Sequence, residues 1–140
     1  MTIEFSYLCD YEIINENTYK NWLLNIVEIE NKQLGELNFV FCTDQYLIDI
    51  NKKYLNHDTY TDIITFDYCD GDIVNGDVFI SVERVEENAV IFEVNFNNEL
   101  HRVMSHGVLH LCGYGDKSSD EINVMRQKEE EMIKLFHVEH

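Results

Sequence analysis

The chain has 140 residues, 45% of them hydrophobic, and a formal net charge of −17. This length suits one domain with a buried core, and the sequence predicts neither a signal peptide nor a membrane span, since no run of about 18 apolar residues occurs. The acidic excess is unfavourable for a nucleic-acid binder, because neutralisation of phosphates supplies most of the affinity. Any such contact must therefore be local and weak, or must depend on a metal ion and a partner.

The first half of the chain predicts two strands and two helices. Apolar and polar residues alternate over residues 2–8, which predicts a strand. An amphipathic helix is predicted at residues 17–32. A second strand is predicted at residues 37–42, followed by a short helix at residues 43–54 that Thr43 can cap. The apolar stripe of the first helix, which predicts core positions, consists of Tyr19, Trp22, Leu23, Ile26 and Val27.

The second half predicts a hairpin followed by three helices. β-branched and aromatic residues predict a strand at residues 61–68, and turn-forming residues separate it from an antiparallel strand at residues 77–82. An apolar stripe from Val82 to Phe96 predicts the next helix, which the asparagine-rich residues 95–98 interrupt. A Ser-x-x-Glu capping box starts a last helix. The residues expected to face inward from it are Ile122, Met125, Met132, Ile133 and Phe136.

Four strands interleaved with about five helices predict an α/β or α+β fold. No linker, repeat or low-complexity stretch divides the sequence. We therefore expect a single domain over residues 1–140, with a four-stranded mixed sheet packed against the helices.

The most informative stretch follows this hairpin and contains His106 and His110. A helix advances about 100° per residue, so these two histidines lie on one face, one turn apart, where they can share a metal ion. Gly113 is suited to end that helix, and Asp116 can then fold back toward the same ion. Two nitrogen donors and one carboxylate leave an open fourth position, as in catalytic zinc sites.

Other residues of this stretch narrow the interpretation. Metalloproteases carry a glutamate after the first histidine as general base, and Gly107 at that position argues against a protease. His101 lies on a different helical face and is not predicted to bind the metal. Cys112 is predicted to pack in the core, and all four cysteines (Cys9, Cys42, Cys69 and Cys112) are expected to be reduced thiols of a cytoplasmic protein. His137 and His140 are expected to be solvated.

Residues 106–114, His-Gly-Val-Leu-His-Leu-Cys-Gly-Tyr, resemble the signature of the YbeY family of bacterial metal-dependent endoribonucleases, which mature ribosomal RNA. Residues 61–66, Thr-Asp-Ile-Ile-Thr-Phe, are similar to the family's Thr-Asp-Val-Leu-Ser-Phe segment. Residues 76–81 resemble its Gly-Asp-Ile strand. The resemblance implies the same fold and a cytoplasmic hydrolase that cleaves phosphodiester bonds of single-stranded and ribosomal RNA, with the ribosome or its proteins as partners and no membrane.

We assign site residues on this basis. One divalent ion, most simply zinc, is expected on His106, His110 and Asp116, and the catalytic residues are expected to be His106, His110 and Asp62. Asp62 could instead cap a turn or hold the hairpin, and both readings stay open. Asp77, in the second matched strand, is expected to be structural.

Two departures from the family matter. Asp116 stands where the family usually has a third histidine. Leu55 stands after Tyr54, where the family usually has an arginine thought to handle RNA phosphate, and Lys53 or His57 could supply that cation instead. Two alternatives therefore stay open: a metal-binding ribosome assembly factor with little catalysis, and a metallohydrolase of another substrate.

Overall fold

The computed structural model describes residues 1–55 and 61–139, so His57 and His140 lie outside the described residues. The described chain forms four strands and five helices, in the order β1 (Thr2–Tyr7), α1 (Glu16–Ile29), β2 (Gln33–Cys42), α2 (Asp44–Tyr54), β3 (Ile63–Asp67), β4 (Ile73–Ser81), α3 (Val82–Ile91), α4 (Phe96–Leu111) and α5 (Ser119–Glu139). None of these helices is long and apolar enough to cross a bilayer.

The four strands form one mixed sheet in the order β1-β2-β4-β3. β1, β2 and β4 are parallel. β3 pairs antiparallel with β4, from Ile63 opposite Ile80 to Asp67 opposite Gly76. The predicted fold class is confirmed, and so is the predicted hairpin.

α4 is the helix that positions the candidate site, and most of its side chains are buried. It approaches the sheet closely at Gly107, where an added Cβ would lie 3.0 Å from side-chain atoms of both Ile63 and Val78. Since that spacing is shorter than ordinary van der Waals contact, a larger residue would require these side chains or the helix to move by a few tenths of an ångström. The close contact fixes the position of the turn that carries His106 and His110.

α5 packs against α4 and is tied to α1. The fully buried Trp22 donates a hydrogen bond from Nε1 to the Met132 carbonyl at 2.8 Å, which confirms Trp22 as a core residue. Met125 and Phe136 are also buried as predicted. Ile122 is exposed, contrary to the prediction, because α5 begins to contact the core only at Met125.

The predicted turn before β4 is wrong in part. β4 begins at Ile73 and includes Asn75 and Gly76, which the sequence analysis placed in the turn. A Cβ on Gly76 would lie 2.8 Å from the Phe66 carbonyl oxygen. This glycine therefore permits a close approach within the sheet and does not mark its end.

The boundary between α3 and α4 also differs from the prediction. α3 ends at Ile91, because Glu93 adopts the left-handed conformation with a φ of 57°. Asn95 caps α4, accepting a hydrogen bond from the Asn98 amide at 2.7 Å. The asparagine run thus starts a helix at Phe96, where an interruption was expected.

Candidate metal centre

His106 and His110 lie one turn apart on α4, with ring centroids 4.5 Å apart. Gly113 follows the helix with a φ of 109°, a conformation that favours glycine. The Tyr114 amide then donates to the Leu109 carbonyl at 3.0 Å, which closes the helix end as a left-handed cap does. The chain therefore turns back toward the histidines immediately after α4.

Asp116 reaches both histidines after this turn. Its Oδ2 lies 3.0 Å from Nε2 of His110 and 3.4 Å from Nε2 of His106. One ligand atom from each of the three residues lies within 4.8 Å of the others. Tetrahedral zinc, with bonds of about 2.0–2.2 Å, separates its ligand atoms by about 3.4 Å. The spacing and the donor types therefore fit a small divalent ion.

The other ring nitrogen of each histidine has an acceptor. His106 Nδ1 lies 2.6 Å from Glu129 Oε2, and His110 Nδ1 lies 2.8 Å from the Tyr114 carbonyl oxygen. A carboxylate and a carbonyl only accept, so the tautomer with the proton on Nδ1 satisfies both of these contacts. In a neutral imidazole this leaves the Nε2 lone pair available, which is the tautomer that a metal requires.

Glu129 stands at the centre of a buried ionic cluster behind His106. It is 2% exposed, and its Oε1 lies 3.4 Å from Arg102 Nη1 and 3.6 Å from Arg126 Nη1. A buried carboxylate is tolerated only when it is paired and hydrogen-bonded. The two arginines satisfy one oxygen of Glu129, and the other oxygen holds the His106 ring.

Arg102 remains charged inside this cluster. Burial alone would lower the pKa of Arg102. Its hydrogen bonds with Glu99, one of them 2.9 Å long, and the negative charges of Glu129 and Asp62 outweigh burial, so the pKa is raised. The guanidinium is therefore a permanent positive charge, four residues before His106 on the same face of α4.

The three candidate ligands open into a cleft of about 830 Å³. Its walls come from the end of α2, β3, the end of α3, α4, and α5. The residues that line it, besides His106, His110 and Asp116, are Asn51, Leu55, Thr61, Asp62, Ile63, Ile64, Thr65, Asp67, Asn88, Phe92, Arg102, Leu111 and Arg126.

Asp62 lies both at the hairpin, where a structural role was considered, and at the cleft, where a catalytic role was considered. Its backbone carbonyl accepts a hydrogen bond from the Ser81 amide at 3.0 Å, which extends the β3–β4 pairing by one residue at the open end of the hairpin. Its side chain lines the cleft, with Oδ2 3.7 Å from Arg102 Nη2. Asp62 is thus beside the candidate ligands and outside their group of three.

Other residues singled out in the sequence lie in structural positions. Asp77 accepts a hydrogen bond from Asn38 Nδ2 at 3.1 Å. His101 is buried and lies 2.9 Å from the Tyr19 hydroxyl, and burial, with the nearby His137, lowers its pKa to about 4.

Cys112 packs against the core, where burial raises its pKa to about 12. Only a thiolate binds metals well, so this protonated thiol is a poor ligand. All four cysteines are free. Lys53 lies 5.2 Å from the Tyr54 ring, while Leu55 lines the cleft.

Sequence reasoning missed Glu129 and the two arginines. A signal was present for Glu129 and for Arg102. Glu129 interrupts the apolar stripe of α5 between Met125 and Met132, where a carboxylate needs a buried partner. Arg102 precedes His106 by four residues and so shares its face. Arg126 carries no such signal, since it faces the cleft through the packing of α5 on α4.

Comparisons with known proteins identify the family of this chain. The family model described as Endoribonuclease YbeY matches residues 6–137. The chain is 56% identical to Endoribonuclease YbeY of Flavobacterium psychrophilum over 97% of each chain. It is 52% identical to that of Flavobacterium johnsoniae over 98% of this chain and 99% of the relative.

A solved structure has the same fold. The solution structure of TM1509 from Thermotoga maritima superposes with a TM-score of 0.74 at 27% identity, covering 99% of this chain and 91% of that one. The family model covers nearly the whole chain, and the relatives match it over nearly their full length. The chain therefore belongs to the YbeY family of metal-dependent endoribonucleases.

Proposed function

We propose that this chain cleaves single-stranded RNA with the help of one divalent ion, best matched by zinc, on His106, His110 and Asp116. The observation that carries the proposal is the convergence of the three ligand atoms within 4.8 Å, with both Nδ1 atoms already engaged. When bound, such an ion lowers the pKa of a coordinated water and polarises a phosphoryl oxygen.

The chain's own residues have distinct roles in this proposal. His106 and His110 present Nε2 to the ion, and Glu129 holds the His106 ring in the required tautomer. Asp62 is the carboxylate suited to accept a proton from the attacking water, because its side chain lines the cleft beside the candidate ligands. Arg102 orients that carboxylate, since its guanidinium forms an ion pair with Asp62 Oδ2 at 3.7 Å.

Arg126 is the side chain best suited to contact an RNA phosphate. It lines the cleft, and its side chain is 55% exposed. Its partner Glu129 lies at 3.6 Å, longer than a hydrogen bond, so the guanidinium can turn toward an incoming anion. Arg126 thus supplies a positive charge in the cleft for phosphate, which the apolar Leu55 cannot supply.

The local charge explains why the ion is needed for binding as well as for chemistry. Two arginines, Arg102 and Arg126, share the cleft region with five carboxylates, those of Asp62, Asp67, Glu99, Asp116 and Glu129. This formal excess of three negative charges repels phosphate, and a divalent ion reduces the excess to one. RNA should therefore bind weakly to metal-free protein.

Ribosomal RNA is the proposed natural substrate, with the ribosome or its associated proteins as partners and the cytoplasm as location. Full-length similarity to relatives named Endoribonuclease YbeY supports the RNA substrate, and four free cysteines suit a reducing compartment. We also propose that residues 1–140 act as one catalytic domain.

A second candidate is a metal-binding ribosome assembly factor with little catalysis. Leu55 favours it, because this side chain is apolar and partly exposed at the cleft, where the family usually has an arginine. This candidate predicts metal binding and RNA binding without turnover, so an activity assay separates the two.

The test is cleavage of a labelled single-stranded RNA by zinc-loaded protein. We expect turnover by the wild type and a loss of at least about a hundredfold in His110→Ala, since one of three ligands is removed. His137→Ala is the matched control, because His137 is an exposed histidine on α5. Equal rates for His110→Ala and the wild type would refute the site, and no turnover by any metal-loaded form would favour the assembly factor.

A further inference from the structure

Phe92 is an aromatic side chain at the wall of the candidate metal cleft that the fold leaves half exposed. It is 50% exposed and lines the same cleft as His106 and Asp116. The guanidinium carbon of Arg102 lies over its ring, 5.8 Å from the centroid. Together with the exposed Val90 and Ile91 it forms a contiguous apolar patch, and exposed apolar patches mark binding sites.

The backbone that presents Phe92 is tightly fixed. Phe92 is the C-cap residue of α3, and its amide donates to the Asn88 carbonyl at 2.9 Å. Glu93 then adopts its left-handed conformation, and the Val94 amide donates to the Ala89 carbonyl at 3.0 Å, as in a Schellman motif. A non-glycine residue in that conformation is strained, so the chain accepts strain at the residue that follows Phe92.

We propose that Phe92, with Arg102 against its ring, is a stacking platform for one unpaired base of the RNA substrate, next to the phosphodiester that is cleaved. This inference rests on the proposed function and identifies how the same site holds its substrate. Unpaired bases stack on aromatic rings and on guanidinium planes, and such stacking tolerates any base because every base has a π-face. Arg102 adds a cation–π contact to the platform.

The charge of the chain favours this kind of contact. With a net charge of −17, the protein gains little from general attraction to phosphates. Stacking needs no cation and loses little with salt, so it supplies affinity that the electrostatics of this chain do not.

The position of Phe92 favours an RNA base, and not another protein, as the group that covers its ring. The ring lies in the wall of the cleft that holds the three candidate ligands, so a strand whose phosphate lies at the ligands brings a neighbouring base within reach. Val90 and Ile91 continue the apolar surface away from the cleft. A protein partner would use these residues as well, which provides a control.

The experiment measures kcat and KM of the zinc-loaded protein on a short RNA with one cleavage site. Its companions are RNAs of the same sequence that carry a single abasic residue at successive positions around that site. We expect Phe92→Ala and Phe92→Leu to raise KM by about tenfold or more, with a smaller change in kcat, because one stacked base is lost. Phe92→Trp should keep KM near the wild-type value, and so should the control Ile91→Ala.

The abasic substrates identify the base. At one position the abasic residue should raise KM for the wild type but cause no further rise for Phe92→Ala, since the two changes remove the same contact. Additive effects at every position, or an equal rise in KM for Ile91→Ala, would overturn the platform. Cleavage that Phe92→Ala leaves unchanged would overturn this inference alone, whereas a wild type that cleaves no RNA would overturn the proposed function and the platform with it.

Discussion

Replacing Glu129 with glutamine tests whether the buried carboxylate behind His106 supports metal binding. Glu129→Gln keeps the size of the side chain and an oxygen that can accept from His106 Nδ1, now at 2.6 Å from the carboxylate. It removes the charge. Hydrogen bonds to ionised groups are about twice as strong as neutral ones, so the contact should weaken by about 1–1.5 kcal/mol. That corresponds to about a tenfold loss of metal affinity, within the range for outer-shell partners of metal ligands.

A second effect acts in the same direction. Without the Glu129 charge, the guanidinium of Arg102, 3.4 Å from Oε1, loses one of its counterions and repels a divalent ion more strongly. Arg102 keeps its bonds with Glu99, so the folded structure should persist. We expect a loss of about 1–3 kcal/mol in the free energy of unfolding, the usual effect of weakening hydrogen bonds to charged groups.

The assay is zinc competition against a chelator of known affinity, together with denaturant unfolding of the metal-free protein. Glu130→Gln is the matched control, because it makes the same change at the next, exposed residue of α5. Zinc affinity of Glu129→Gln within about twofold of both the wild type and this control would refute the supporting role of Glu129.

Three further predictions concern packing, pH and salt. Gly107→Ala should lower the free energy of unfolding by about 1–3 kcal/mol and weaken zinc binding, because the new Cβ would meet Ile63 and Val78 at 3.0 Å; an unchanged unfolding curve would contradict this. Burial lowers the pKa of His101 to about 4 in the folded protein. As the pH falls from about 6.5 to 4, this histidine is protonated in the unfolded chain before it is protonated in the folded protein. The free energy of unfolding should therefore fall over this range, by up to about 3 kcal/mol. His101→Gln should lose that part of the dependence in metal-free unfolding measurements. RNA binding should depend only weakly on salt, and a slope typical of about six or more phosphate contacts would reveal a missed basic surface.

Local patterns predicted the elements that carry the site. The i, i+4 spacing of His106 and His110 and the glycine after them determine a helix, its exposed face and its end. Asp116 could be included because the chain reversal at Gly113 is itself a local event. These contacts span at most ten residues, which is the range over which periodicity and turn chemistry are informative.

The contacts that hold the histidines from behind could not be predicted from local patterns. Glu129 meets His106 across 23 residues, and the packing of α5 on α4 decides that contact. The end of α3 was misplaced because Glu93, which has no glycine-like signature, adopts the left-handed conformation. Gly76 resembled a turn residue although it lies within β4, since a close approach and a turn both favour glycine.

Metal content is the measurement that tests the central claim most directly. Elemental analysis of purified, zinc-loaded protein after dialysis should find about one zinc ion per chain in the wild type. It should find almost none in the doubly substituted His106→Ala, His110→Ala protein, with folding of both forms checked by circular dichroism. Stoichiometric zinc in the folded double variant would contradict the account, because the ion would then be held by residues other than this pair.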